Sequence, residues 1–201
     1  KGKTLELLAS RGITVDSSVY PFYENEFFHC KGAPVTPYYP SFENALVPGE
    51  QQNIMELPVT AGFNVADFSK ADKIHSRLSK PPFSTLRAVG LLWHTKILKK
   101  IYLSPELSDT KSMIELSDTC LDKQHNVIHM YLHSSSLIDG VTGLLNVDNA
   151  YELICSRISR FLAHLEVRAN VSYCTISEAA TRLTAKEGAV TTQLSQGQHC
   201  E

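Results

Sequence analysis

The stretch that most constrains this chain is Asn126-Val-Ile-His-Met-Tyr-Leu-His-Ser-Ser-Ser-Leu-Ile-Asp-Gly140. Its first half is rich in β-branched and aromatic residues, and it runs through three serines into Asp139-Gly140, a turn pair. The pattern predicts an interior parallel strand over 126–133 that gives way to a loop. With a period of two, Ile128, Met130 and Leu132 share one face, while Val127, His129, Tyr131 and His133 share the other. The first face belongs against a helix layer. The second carries groups capable of chemistry.

His125, His129 and His133 recur every four residues, a spacing that on a helix would turn all three toward one metal ion. On a strand, residues four apart stand roughly 13 Å from each other at about 3.3 Å per residue, too far for one ion. The strand reading therefore disfavours a three-histidine site and leaves His125 and His129 as loop and core histidines. His133 differs, because strand-to-loop ends are where barrel enzymes place catalytic groups.

Strands separated by helices around this stretch predict an α/β protein. The residues before Gly12 read as the tail of a helix, followed by a short strand over 13–20 that Pro21 stops. Residues 21–52 hold many prolines and aromatics and read as a long loop excursion, in which Phe22, Tyr23, Phe27, Phe28, Tyr38 and Tyr39 either stack on sugar rings or pin the loop; pinning is the preferred reading. A strand over 53–63 contains Pro58, which confines it to an edge, an end or a bulge, and Glu56 on it faces either the site or a solvated edge. Helical spacing follows at 71–78, at 83–99 with Trp93 in the core and His94 at its boundary, and at 110–124, with a short strand at 101–103. A long amphipathic helix over 147–168, started by Asp148, buries Tyr151, Ile154, Cys155, Ile158, Phe161, Leu162 and Leu165. Residues 171–174 form a last strand, and Thr175-Ile-Ser-Glu178 is a capping box opening a helix that ends by Gly188. Residues 189–201 are polar and aperiodic, a disordered tail.

Net charge −2 gives no electrostatic reason for a nucleic acid or an anionic membrane as partner. No apolar run approaches a membrane span. Cys30, Cys120, Cys155, Cys174 and Cys200 lack Cys-x-x-Cys spacing and form an odd set, which favours unpaired thiols and a cytoplasmic setting. Lys1 is not a start methionine, so the sequence as given says little about any leader. An esterase or protease finds no Gly-x-Ser-x-Gly elbow.

Several segments carry a resemblance. Met130-Tyr-Leu-His-Ser-Ser-Ser-Leu-Ile-Asp-Gly140 with the following helix, Tyr173-Cys-Thr-Ile-Ser-Glu-Ala-Ala180, Gly12-Ile-Thr-Val-Asp-Ser-Ser-Val-Tyr-Pro21 and Met55-Glu-Leu-Pro-Val-Thr60 resemble, in order over 12–180, the C-terminal part of polysaccharide deacetylases of the NodB-homology family. The resemblance implies that residues 1–188 are the C-terminal portion of a partial or distorted (β/α) barrel, with a carbohydrate substrate. It implies that His133 acts as the catalytic acid or assists it, and that Asp16, Ser17, Ser134 and Asp139 line the substrate site. By spacing alone Asp16 reads more simply as a turn or capping group. Full-length members use a divalent, zinc-like metal, but no Asp-Asp-Gly and no His-Ser/Thr-x-x-His occurs here. The expectation is therefore no metal or cofactor in this chain, a missing N-terminal part of the barrel as partner, and no activity alone. The alternative is a non-catalytic carbohydrate-binding or structural unit built on the same half-barrel.

Overall fold

The computed structural model describes residues 2–81, Gly90 and residues 97–185. In chain order it contains α1 (Gly2–Ser10), β1 (Val15–Asp16), β2 (Met55–Glu56), β3 (Ala61–Phe63), α2 (Phe68–Leu78), β4 (Lys100–Tyr102), α3 (Thr110–Asp122), a 3-10 turn (Ser134–Leu137) and α4 (Ala150–Arg168). A helix at 176–185, α5, follows. The helix predicted over 83–99, with Trp93 and His94, falls almost wholly outside the described residues, as do Cys200 and the tail 189–201.

Local chemistry sets the helix ends. Gly12, at φ 79°, lets the chain reverse after α1, so that its N–H reaches the Ala9 carbonyl at 3.0 Å and the Ile13 N–H reaches that of Leu8 at 3.1 Å. Asp67 caps α2 through the Lys70 N–H at 2.9 Å, and Asp109 caps α3 through the Ser112 N–H at 2.8 Å. The predicted capping box is present at α5. The Thr175 N–H donates to Glu178 Oε2 at 2.7 Å, and the Glu178 N–H returns to Thr175 Oγ1 at 3.3 Å.

Among the described residues the strands pair into two small sheets. β1 pairs parallel with β2, Val15 opposite Met55 and Asp16 opposite Glu56, and the Leu57 and Val59 N–H groups carry the pairing on to the Asp16 and Val19 carbonyls. β3 pairs antiparallel with β4. The 21–52 excursion is more than a loop, because Tyr38 returns to exchange both backbone hydrogen bonds with Glu56, at 2.8 and 3.1 Å. The architecture is mixed helix and strand, with no closed barrel among the described residues.

The 126–133 segment departs from the predicted strand: it joins its neighbours without forming a regular ladder. Thr60 N–H donates to the His129 carbonyl at 3.0 Å and Tyr131 N–H to the Leu103 carbonyl at 3.2 Å. Between them the His129 N–H goes to a side chain, Thr60 Oγ1, at 2.8 Å. A hydroxyl thus takes the donor that a ladder carbonyl would take, which interrupts the strand. The face assignment nevertheless matches, since Ile128 and Met130 pack against the main core and Leu132 is half-buried. Residues 171–174, the other expected strand, make no backbone ladder among the described residues. Polar side chains there turn outward, Ser172 taking a hydrogen bond from Arg182 and the Tyr173 hydroxyl donating to Glu166 at 2.8 Å.

The main core joins Phe63, Phe68, Ile101, Leu103, Met113, Leu116, Phe161 and Leu165, so α2, α3 and α4 share one cluster with β3 and β4. Gly62 permits the close approach: a Cβ there would lie 2.5 Å from the Phe68 ring and 2.8 Å from Leu116 Cδ1. A second cluster sets Ala180 of α5 against Met55 and Leu57. α4 begins later than predicted. Ala150, not Tyr151, fills the buried place in its first turn, and Tyr151 one position on is 57 % exposed. Asp148 does not start this helix; the Ala150 N–H donates instead to Asp139 Oδ1 at 2.7 Å.

Candidate functional site

His133 stands where the extended segment ends, its backbone still extended at φ −93° and ψ 127°, and the 3-10 turn begins at Ser134. Facing it is Glu106, in the loop that follows β4. The chain after β4 fixes this carboxylate. The Ser104 carbonyl accepts from the Leu107 and Ser108 N–H groups, Ser108 Oγ donates to the Tyr102 carbonyl at 2.8 Å, and Arg157 of α4 donates to the Pro105 carbonyl at 2.6 Å. Glu106 Oε1 lies 2.6 Å from His133 Nδ1, and Oε2 accepts from the His133 backbone N–H at 3.3 Å.

The two partners differ sharply in exposure. The Glu106 side chain is 0 % exposed and that of His133 is 58 % exposed. A buried carboxylate is costly unless it is paired and hydrogen-bonded, and His133 supplies both its ring and its backbone N–H. Because the carboxylate only accepts, the proton sits on Nδ1, leaving Nε2 as the nitrogen for an external group. A carboxylate that fixes the tautomer and orientation of a histidine is the arrangement used to ready an imidazole for proton transfer.

Other polar-face residues are organised beside this pair. Ser17 Oγ donates to the Leu57 carbonyl at 2.9 Å, so its contact with His129 Nδ1 at 3.3 Å is one in which the ring donates. Burial holds the His129 imidazole below its ordinary pKa, with hydrogen bonds to the Pro58 and Leu57 backbone opposing it. Tyr131 lies edge-on between Tyr20, at 5.1 Å, and His133, at 6.3 Å. Burial first, and then the Glu106 charge for Tyr20 and the neighbouring Tyr20 and Glu106 for Tyr131, raise both phenols, so they remain neutral.

The structure thus brings Ser17 to His129 and His133 to Glu106, two junctions of the same segment. Asp16, at the end of β1, accepts from Ser18 Oγ at 2.6 Å, the local turn contact that its spacing suggests. Ser134 is exposed immediately after His133. Asp139 is engaged at the start of α4. Glu56 is fully buried, its Oε1 accepting from the Val19 N–H at 3.0 Å, so it does not occupy a solvated edge. Glu106 lies in the loop beyond the end of β4 at Tyr102, and no local pattern in the sequence singles it out.

Compared with known proteins, the chain matches no family model, no curated protein and no solved structure. Among the described residues, no three His, Cys, Asp or Glu side chains converge to hold a metal ion. These residues therefore do not fit the divalent ion that the resemblance implies. No helix among them is long and apolar enough to cross a membrane. Cys30 and Cys120 are buried, Cys155 is half-buried and Cys174 is exposed, all as free thiols.

Proposed function

We propose that this chain supplies the proton-transfer histidine and part of the sugar-contacting surface of a polysaccharide deacetylase-like hydrolase, which removes N- or O-acetyl groups from a carbohydrate. The observation that carries the reading is the His133–Glu106 pair: an accessible imidazole at the end of the extended 126–133 segment, held through Nδ1 by a fully buried carboxylate. Amide hydrolysis adds water to the acetyl carbonyl and expels an amine, which leaves only when its nitrogen is protonated. With Glu106 holding Nδ1–H, a protonated Nε2 of His133 delivers its proton to that nitrogen, and the ring is left as the neutral imidazole. The divalent ion and its ligands come from polypeptide outside the described residues, such as the missing N-terminal part of a (β/α) barrel, and the chain by itself is inactive.

Acetate release from an N-acetylated oligosaccharide tests this. The native protein with divalent ion present should release acetate, and His133→Ala should lower the rate by about 10² to 10⁴. Full activity in the variant would remove His133 from the chemistry. Acetate released by the isolated chain would show that a complete site lies within it.

A further inference from the structure

Segments 126–130 and 171–174 pass each other without a backbone hydrogen bond among the described residues, and both line a cavity of about 530 Å³. Its apolar wall includes Leu57, Ile128, Met130, Phe161, Leu162 and Leu165. Such a volume, apolar over most of its lining and polar at a few points, is that of a small-molecule site. Neither His133 nor Glu106 belongs to it.

The space is longer than it is compact. A second lobe of about 300 Å³ adjoins the first, with His125, Asn126 and Leu183 lining both. Along the extended 125–130 segment this gives a run of roughly 16 Å at about 3.3 Å per residue. An elongated apolar space suits an unbranched chain better than a ring.

Charge selects the head group. Burial is the main cause that holds the His125 and His129 imidazoles below their ordinary pKa, so both are neutral near pH 7. That leaves Arg182 as the one formal charge on the lining among the described residues. Its guanidinium donates to Ser172 Oγ and enters no ion pair among the described residues. Glu178, one turn earlier, is engaged by the Thr175 N–H at 2.7 Å and the Thr175 hydroxyl at 2.9 Å. Arg182 is exposed, and most of its five N–H donors remain for an anion with the geometry of a carboxylate.

We propose that this cavity is a second site, separate from the dyad, that binds a free fatty acid with its carboxylate on Arg182 and its acyl chain along Ile128 and Met130. The proposal does not depend on the deacetylase reading.

The test is a calorimetric titration of the protein with dodecanoate, octanoate and 1-dodecanol. Dodecanoate should bind about tenfold or more tightly than octanoate, because four further methylenes leave water. It should also bind about tenfold more tightly than dodecanol, through the charge-assisted pair. Arg182→Gln, at an exposed position, should bring dodecanoate to the level of dodecanol and leave dodecanol unchanged, while Arg182→Lys keeps most of the preference. Leu162→Trp, with an unchanged melting temperature as the check on folding, should weaken both long-chain ligands by filling the wall. Absence of dodecanoate binding, equal affinity of wild type for acid and alcohol, or an Arg182→Gln protein that keeps the preference would overturn the site.

Discussion

A carboxylate with no solvent exposure, such as Glu106, is tolerable only while something holds its charge. At the scale of single residues this couples stability to the site. His133→Ala should destabilise the fold by about 1–3 kcal/mol in urea unfolding, although the ring itself is largely exposed, because it leaves Glu106 short of a partner. Adding Glu106→Gln should recover part of that loss; a double variant less stable than His133→Ala would contradict the pairing. Burial gives a second residue-scale expectation. His75, His125 and His129 are all held below the ordinary imidazole pKa, with desolvation the largest cause in each. In the window between the lowered folded value and the unfolded value near about 6.5, the unfolded chain binds more protons, so unfolding free energy rises with pH. Stability should be fully present above about pH 6.5 and decline as pH falls through the folded values. Thermal melts of wild type and His129→Gln between pH 7.5 and 5 would measure it, the variant showing the shallower decline.

At the scale of elements, the capping box of α5 offers a clean perturbation. Thr175→Ala removes the hydroxyl that accepts from the Glu178 N–H and should cost about 1 kcal/mol, read as a shift in the urea midpoint with unchanged slope. The residues that announce elements in sequence are those with local chemistry: Gly12, the capping box, and the spacing of Met113, Leu116 and Cys120 in α3. What sequence hides is non-local. Nothing near Asn126 says that Thr60, far back in the chain, will spend its side chain on the His129 N–H and break the expected ladder. Nothing near Asp139 says that it will hold the Ala150 N–H in place of Asp148. His133 was legible because a strand end is a local pattern, whereas Glu106 acquires meaning only when β4 and the 126–133 segment are laid side by side.

At the scale of the whole molecule, the chain sets a buried orienting carboxylate against an accessible imidazole. The mixture of helix and strand followed from patterning, whereas the barrel rests on resemblance alone; among the described residues the strands pair into two small sheets. The central claim is that Glu106 and His133 act as one unit in acetyl hydrolysis, and a double-mutant cycle in acetate release by the native protein tests it most directly. Glu106→Gln and His133→Ala should each lower the rate by roughly 10² to 10⁴, and the double variant should be no slower than His133→Ala alone, since the carboxylate acts only through the imidazole. Losses that multiply in the double variant, or a Glu106→Gln protein at wild-type rate, would contradict the account.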